Sequence, residues 1–141
     1  MRRYISRIKL DDGLNNLILN SKTIGHIGEQ VFKKWFKSNF HDEQLFKQKA
    51  DRDYQKIDFS DEKGYTYQVK TTTKKSYTFN CEKEKIKTHL KADFYVFIQL
   101  IDEYAYIEPI KTAKDVEEKI RRSFYNGTSY IKSKDLQQYE I

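Results

Sequence analysis

Cysteine occurs once in this chain, at Cys81, which excludes an intrachain disulfide and a zinc site built on several cysteines. His26, His41 and His89 lack the paired spacing of a helical zinc motif. Nothing around Cys81 resembles a nucleophile motif, so thiol catalysis is set aside. Proline also occurs once, at Pro109, and the five glycines are scattered. With no repeat, no low-complexity tract and no Pro/Gly cluster, no linker is marked. No apolar run approaches the ~20 residues that cross a bilayer. Met1-Arg2-Arg3-Tyr4 leads into alternating sequence, not into a secretory apolar segment with a small-residue cleavage site. The expectation is a soluble, cytoplasmic protein whose 141 residues form a single domain, 1–141.

What the chain does have is aromatic side chains and positive charge. Eleven Tyr, nine Phe and one Trp argue for a packed globule in spite of 34% charged residues. The net charge is +6, and a basic domain attracts polyanions, nucleic acid first among them. The charge is concentrated. From Lys70 to Lys91 seven lysines face only Glu82 and Glu84, a net +5 in one short stretch. Taken alone, such a run is as readily a solvated helix face as a binding surface.

Hydrophobic periodicity sets the expected elements. Arg3 to Leu10 alternates weakly, Asp11-Asp12-Gly13 breaks it, and Leu14, Leu17 and Ile18 suggest a short helical segment. A stronger helix is expected from Ile24 to Ser38 with Thr23 as cap, its stripe formed by Ile24, Ile27, Val31 and Trp35 and widened by Phe32 and Phe36. Strands follow at Gln44–Gln48, Ile57–Asp61 and Tyr65–Thr73, the last two joined by a Glu62-Lys63-Gly64 turn. Alternation puts Ile57 and Phe59 on one side and Asp58 and Ser60 on the other. Glu82–Lys91 reads as a helix with Ile86 and Leu90 inward. Phe94–Ile101 reads as a strand buried on both faces, and Tyr104–Ile107 as a further strand. Thr112 and Asp115 open another helix that carries Val116, Ile120 and Phe124; Asn126-Gly127 is a turn, and Ser133 caps a terminal helix. This is an α/β (α+β) domain around one mixed sheet flanked by helices, with its core at about 23–101 and a C-terminal extension at 104–141.

The chemistry gathers on two of these strands. Asp58 precedes Gln68 by ten residues, and Gln68-Val69-Lys70 has the pattern acid-or-amide, apolar, lysine. Gln68 and Lys70 fall on one side of their strand, ~7 Å apart. If the Asp58 strand pairs beside them, Asp58, Gln68 and the Val69 main-chain carbonyl can converge on a hard cation such as Mg2+ or Mn2+, with Lys70 orienting or deprotonating a water. The triplet alone carries no weight, since Glu117-Glu118-Lys119 matches Glu-X-Lys on a helix. Context separates them: an aspartate between apolar residues, a turn, and then the triplet inside an alternating strand. Asp53 and Asp61 remain alternatives to Asp58. Glu29 sits at the margin of its helical stripe, where an acid can face the edge of the sheet.

In this arrangement the chain resembles the PD-(D/E)XK nuclease superfamily, which includes restriction endonucleases, Holliday junction resolvases and repair or phage nucleases sharing an αβββαβ core. The resemblance spans about Thr23 to Ile101 and is carried by Gly25-His26-Ile27-Gly28-Glu29 and Tyr67-Gln68-Val69-Lys70-Thr71. It implies a restriction-endonuclease-like fold, with Asp58 and Gln68 as metal ligands, Lys70 activating water and Glu29 as an outer or second-metal acid. Most members have Asp or Glu where this chain has Gln68, and an amide brings no negative charge. The expected activity is a metal-dependent endodeoxyribonuclease acting on double-stranded or branched DNA, possible as a homodimer. The competing reading is a catalytically inactive nucleic-acid-binding or protein-interaction module. Thr71, Thr72, Thr73, Lys74, Lys75, Lys83, Lys85 and Lys87 are the candidate phosphate contacts. Tyr77, Phe79 and Trp35 are expected in the core and His26 on the surface.

Overall fold

Side chains along an extended run of eight alternate between two faces, so an unbroken apolar run needs cover on both. The computed structural model meets this demand for Phe94–Ile101; it describes residues 5–10, 21–48, 57–74, 76–81, 86, 90–122 and 127–132. The elements are β1 (Ser6–Lys9), α1 (Ser21–Asn39), β2 (Leu45–Lys47), β3 (Phe59–Asp61), β4 (Thr66–Thr72) and β5 (Ser76–Cys81). They continue with β6 (Phe94–Ile101), β7 (Tyr104–Ile107), β8 (Lys111–Thr112), α2 (Ala113–Arg121) and β9 (Gly127–Lys132). The protein is a mixed α/β fold. Six strands form a curled sheet in the order β1-β7-β6-β4-β3-β2, with β8 paired to β6 and a separate ribbon of β5 and β9. β4 and β6 run parallel, and the other pairs are antiparallel.

The two faces of β6 lead into two apolar clusters. Val96, Ile98 and Leu100 join Ile27, Val31, Phe32 and Phe36 of α1, with Phe59 and Tyr67 from β3 and β4. Tyr95 and Phe97 join Val116 and Ile120 of α2, with Tyr77 and Ile86. Phe32 is fully buried and is the aromatic hub of the first cluster. Its ring lies 5.7 Å from that of Phe59, 5.5 Å from Tyr67 and 5.9 Å from Trp35. Helix α2 starts as its sequence dictates. Thr112 accepts the Asp115 N–H, and the Asp115 carboxylate accepts the Thr112 N–H, both at 3.3 Å. Among the described residues, no helix is long and apolar enough to cross a membrane.

Several expectations need correction. α1 begins at Ser21, so Thr23 lies inside its first turn and is not the cap. The apolar stripe starts at Ile24, but Ser21 and Lys22 are compatible with a helix and extend it forward. The strand expected from Ile57 begins at Phe59, for a reason given below. The β5–β9 ribbon was not foreseen, and Gly127, expected in a turn, opens β9. Its pairing is non-local and leaves no period in either segment. Trp35 is only partly buried against the first cluster, while Tyr77 is core. The segments at Leu14–Ile18, Phe124 and Ser133 lie outside the described residues. So does most of Glu82–Lys91, although the Leu90 N–H donates to the Ile86 carbonyl at 2.8 Å, a helical contact.

Replacing Phe32 with alanine removes the hub and leaves a cavity, so Phe32→Ala is expected to cost about 3–5 kcal/mol in urea unfolding. Phe46→Ala, at a position 45% exposed, should stay within about 0.5 kcal/mol of the parent.

Candidate active site

The β3–β4 hairpin carries the site, and its turn is held by Asp61. Gly64 takes φ 88°, which a side chain rarely tolerates. Asp61 Oδ1 accepts the Lys63 N–H at 2.9 Å and the Tyr65 N–H at 3.0 Å, and Oδ2 accepts the Tyr67 hydroxyl at 2.9 Å. Burial, and then this bond to Asp61, push the Tyr67 hydroxyl well above the usual tyrosine range. Buried and fully engaged, Asp61 is a structural residue of the turn. Of the two alternatives to Asp58, this removes one; Asp53 lies outside the described residues.

Asp58 sits where β3 loses its regular pleat. Register pairs Phe59 with Tyr67, yet the Asp58 N–H also donates to the Tyr67 carbonyl, at 2.9 Å. Two residues therefore face one, the geometry of a β-bulge. The Asp58 carbonyl accepts the Gln48 N–H at 2.9 Å, so its main chain is held from both sides. The bulge corrects the expected alternation: Phe59 enters the cluster under α1, whereas Ile57 packs on the opposite cluster. The Asp58 carboxylate turns to its neighbour strand, where Oδ2 accepts the Val69 N–H at 2.8 Å. Among the described residues, its Oδ1 carries no hydrogen bond.

Glu29 reaches this edge because α1 lies unusually close to β4. A Cβ at Gly28 would stand 1.7 Å from Thr71 Oγ1, so only glycine fits there. The carboxylate of Glu29, one residue on, meets Lys47 of β2 at 3.4 Å. Lys47 is a site residue that sequence reasoning missed. Alternation in Leu45-Phe46-Lys47 hints that it shares the side of Leu45, but only the β2–β3 register sets it opposite Phe59.

The charges of these groups are coupled. The Asp58 carboxyl is raised above its ordinary value, first by burial and then by the Glu29 charge; the Val69 N–H, Lys70 and Lys47 pull the other way. Glu29, Lys70 and Lys47 thus all lie close enough to act on the Asp58 carboxyl. Gln68 is buried on β4, two positions before half-buried Lys70, opposite Tyr95 in register. No described hydrogen bond ties Gln68 to Asp58. Among the described residues, no three or more His, Cys, Asp or Glu side chains cluster around a point that could take a metal. The donors present are two carboxylates, an amide and main-chain carbonyls, all oxygen. That set suits a hard cation that keeps several waters and does not suit zinc.

The basic stretch is only partly described. The Thr71 hydroxyl is buried against α1, away from any phosphate. Thr72 Oγ1 accepts the Lys74 N–H at 3.0 Å, and Gln99 Nε2 donates to the Lys74 carbonyl at 2.7 Å, which shapes the bend after β4. Thr73 and Lys74 are exposed there, and His26 is exposed on α1. Lys75, Lys83, Lys85 and Lys87 lie outside the described residues, and nothing is described of the Phe79 side chain.

A raised carboxyl pKa has a definite consequence for stability. The stability that Asp58 contributes is complete below its unfolded value, 3.8, and is lost as pH rises through the raised folded value. Asp58→Asn should therefore unfold at higher urea than the parent at pH 8, with the gain shrinking as pH falls toward that value. A variant less stable at every pH would refute this. Gly28→Ala should cost about 1–3 kcal/mol by overpacking the α1–β4 contact.

No protein-family model matches this chain, and no curated protein matches it. The crystal structure of MepB is similar over 72% of this chain and 78% of its own, with 21% identity and a TM-score of 0.34. A likeness at that score carries no argument about fold or function.

Proposed function

We propose that this chain is a divalent-metal-dependent endodeoxyribonuclease with a restriction-endonuclease-like core, hydrolysing phosphodiester bonds at Asp58. The observation that carries the reading is the bulge that turns the Asp58 carboxylate toward β4, into electrostatic contact with Glu29 and Lys70. The order of strands supports it: α1, β2, β3 and β4, then β6 parallel beside β4, as in an αβββαβ core, whose second helix would fall at Glu82–Lys91, mostly outside the described residues.

Asp58 and Glu29 would hold Mg2+ or Mn2+, with the Gln68 amide or the Val69 carbonyl as a neutral oxygen. When bound, the cation lowers the pKa of a water and neutralises charge on the phosphate. The chain's own part is positional. The Val69 N–H fixes one oxygen of Asp58 and leaves the other to a ligand. Lys70, the next residue on β4, orients the attacking water and takes up or returns its proton. Thr73, Lys74 and the lysines that follow attract the flanking phosphates of a double-stranded or branched DNA. Cutting both strands in one event takes two such sites, which a homodimer would supply.

Linear, circular and branched DNA should be cut only with Mg2+ or Mn2+ present. Asp58→Ala and Lys70→Ala should each slow cutting by at least about 100-fold. Metal-dependent cutting that survives both substitutions rules the proposal out. A second reading, an inactive nucleic-acid-binding module, is favoured by the engagement of Glu29 with Lys47 and by the uncharged Gln68. That reading requires no cleavage, no heat on titration with metal, and DNA binding that weakens steeply with salt.

A further inference from the structure

Lys47 is a charged residue of the site for which the reaction above has no role. Its strand is tied to Asp58 directly, since the next residue, Gln48, donates its N–H to the Asp58 carbonyl at 2.9 Å. Its ammonium stands 3.4 Å from Glu29 Oε1. The two partners differ in exposure: the Lys47 side chain is 56% exposed and the Glu29 side chain 20%. The carboxylate is tucked against the sheet edge while the cation that balances it faces water. Exposed ion pairs are weak, so this cation can leave at little cost.

We propose that Lys47 is the resident counter-ion of the Glu29–Asp58 carboxylate pair, and that it yields this place to a divalent cation and so sets how tightly that cation is held. The inference rests on the nuclease reading of the same site. Lys47 stands between the two acids, for it pairs with Glu29 and its neighbour Gln48 holds the Asp58 main chain. An ammonium is a compact, strongly hydrated charge. It competes with a hydrated cation for the same carboxylate oxygens and repels it across the few ångströms between them. An ion pair that merely braced Glu29 would have the opposite effect, because its loss would loosen a ligand and weaken binding.

The test is a calorimetric titration of the whole chain with manganese chloride. Lys47→Met should bind manganese about five-fold more tightly than the parent, the scale of one exposed ion pair. Lys47→Arg keeps the charge and should bind like the parent, while Asp58→Asn should abolish binding. If Asp58→Asn abolishes binding but Lys47→Met leaves it unchanged or weaker, the role of Lys47 is overturned and the site stands. If Asp58→Asn binds as well as the parent, or no chain binds manganese, the site itself is overturned and this inference with it.

Discussion

A helix brings a carboxylate to the edge of a sheet only if its backbone can come close, and here everything turns on the contact of Gly28 with Thr71. A methyl group at residue 28 would overlap the threonine, so the absence of a side chain sets the spacing between α1 and β4. That spacing lets Phe32, one turn further along α1, drop between Phe59 and Tyr67 and close the first core cluster. It also carries Glu29 to the end of β2, where Lys47 meets it. Packing and site are therefore consequences of one close approach.

Two aspartates three residues apart show how the same side chain serves opposite ends. Asp61 spends both oxygens on the β3–β4 turn, accepting three hydrogen bonds, and is buried at little cost because it is satisfied. Asp58 gives one oxygen to Val69, and burial with a neighbouring acid opposes its charge by more than Val69, Lys70 and Lys47 favour it. A fold selected for stability alone has no use for a carboxylate in that position. The bulge that places it interrupts the strand as well. An interrupted strand and a carboxylate whose charge is opposed, at one spot, are what makes Asp58 a candidate for a binding role.

The strongly patterned elements were legible in the chain itself. Phe94–Ile101 and Tyr104–Ile107 form strands at the expected bounds, the first because a short apolar run rich in aromatic and β-branched residues suits a strand covered on both faces, the second because its residues alternate. Thr112 and Asp115 cap α2 because each side chain accepts the other's backbone N–H, a contact set by local spacing alone. The start of α1 was misplaced because helical propensity continues past the end of the apolar stripe. The β5–β9 ribbon was missed because strand pairing across 45 or more residues depends on a partner that neither segment encodes.

The candidate site divides in the same way. Which residues are candidates for chemistry, Asp58, Glu29 and Lys70, follows from local pattern: an acid between apolar residues, an acid at the margin of a helical stripe, a lysine in an alternating strand. Which oxygen points where does not follow. The bulge at Asp58 breaks the alternation from which its direction was inferred, and Asp61 was separated from Asp58 only by the hydrogen bonds of the turn. Lys47 entered the site through the register of β2 on β3, and Gln68 came to lie buried beside β6. Local pattern along the chain specified the strongly patterned elements and the chemical types, since those depend on near neighbours. The tertiary structure decided the constellation, since distance between strands and exclusion of water exist only once the sheet is assembled.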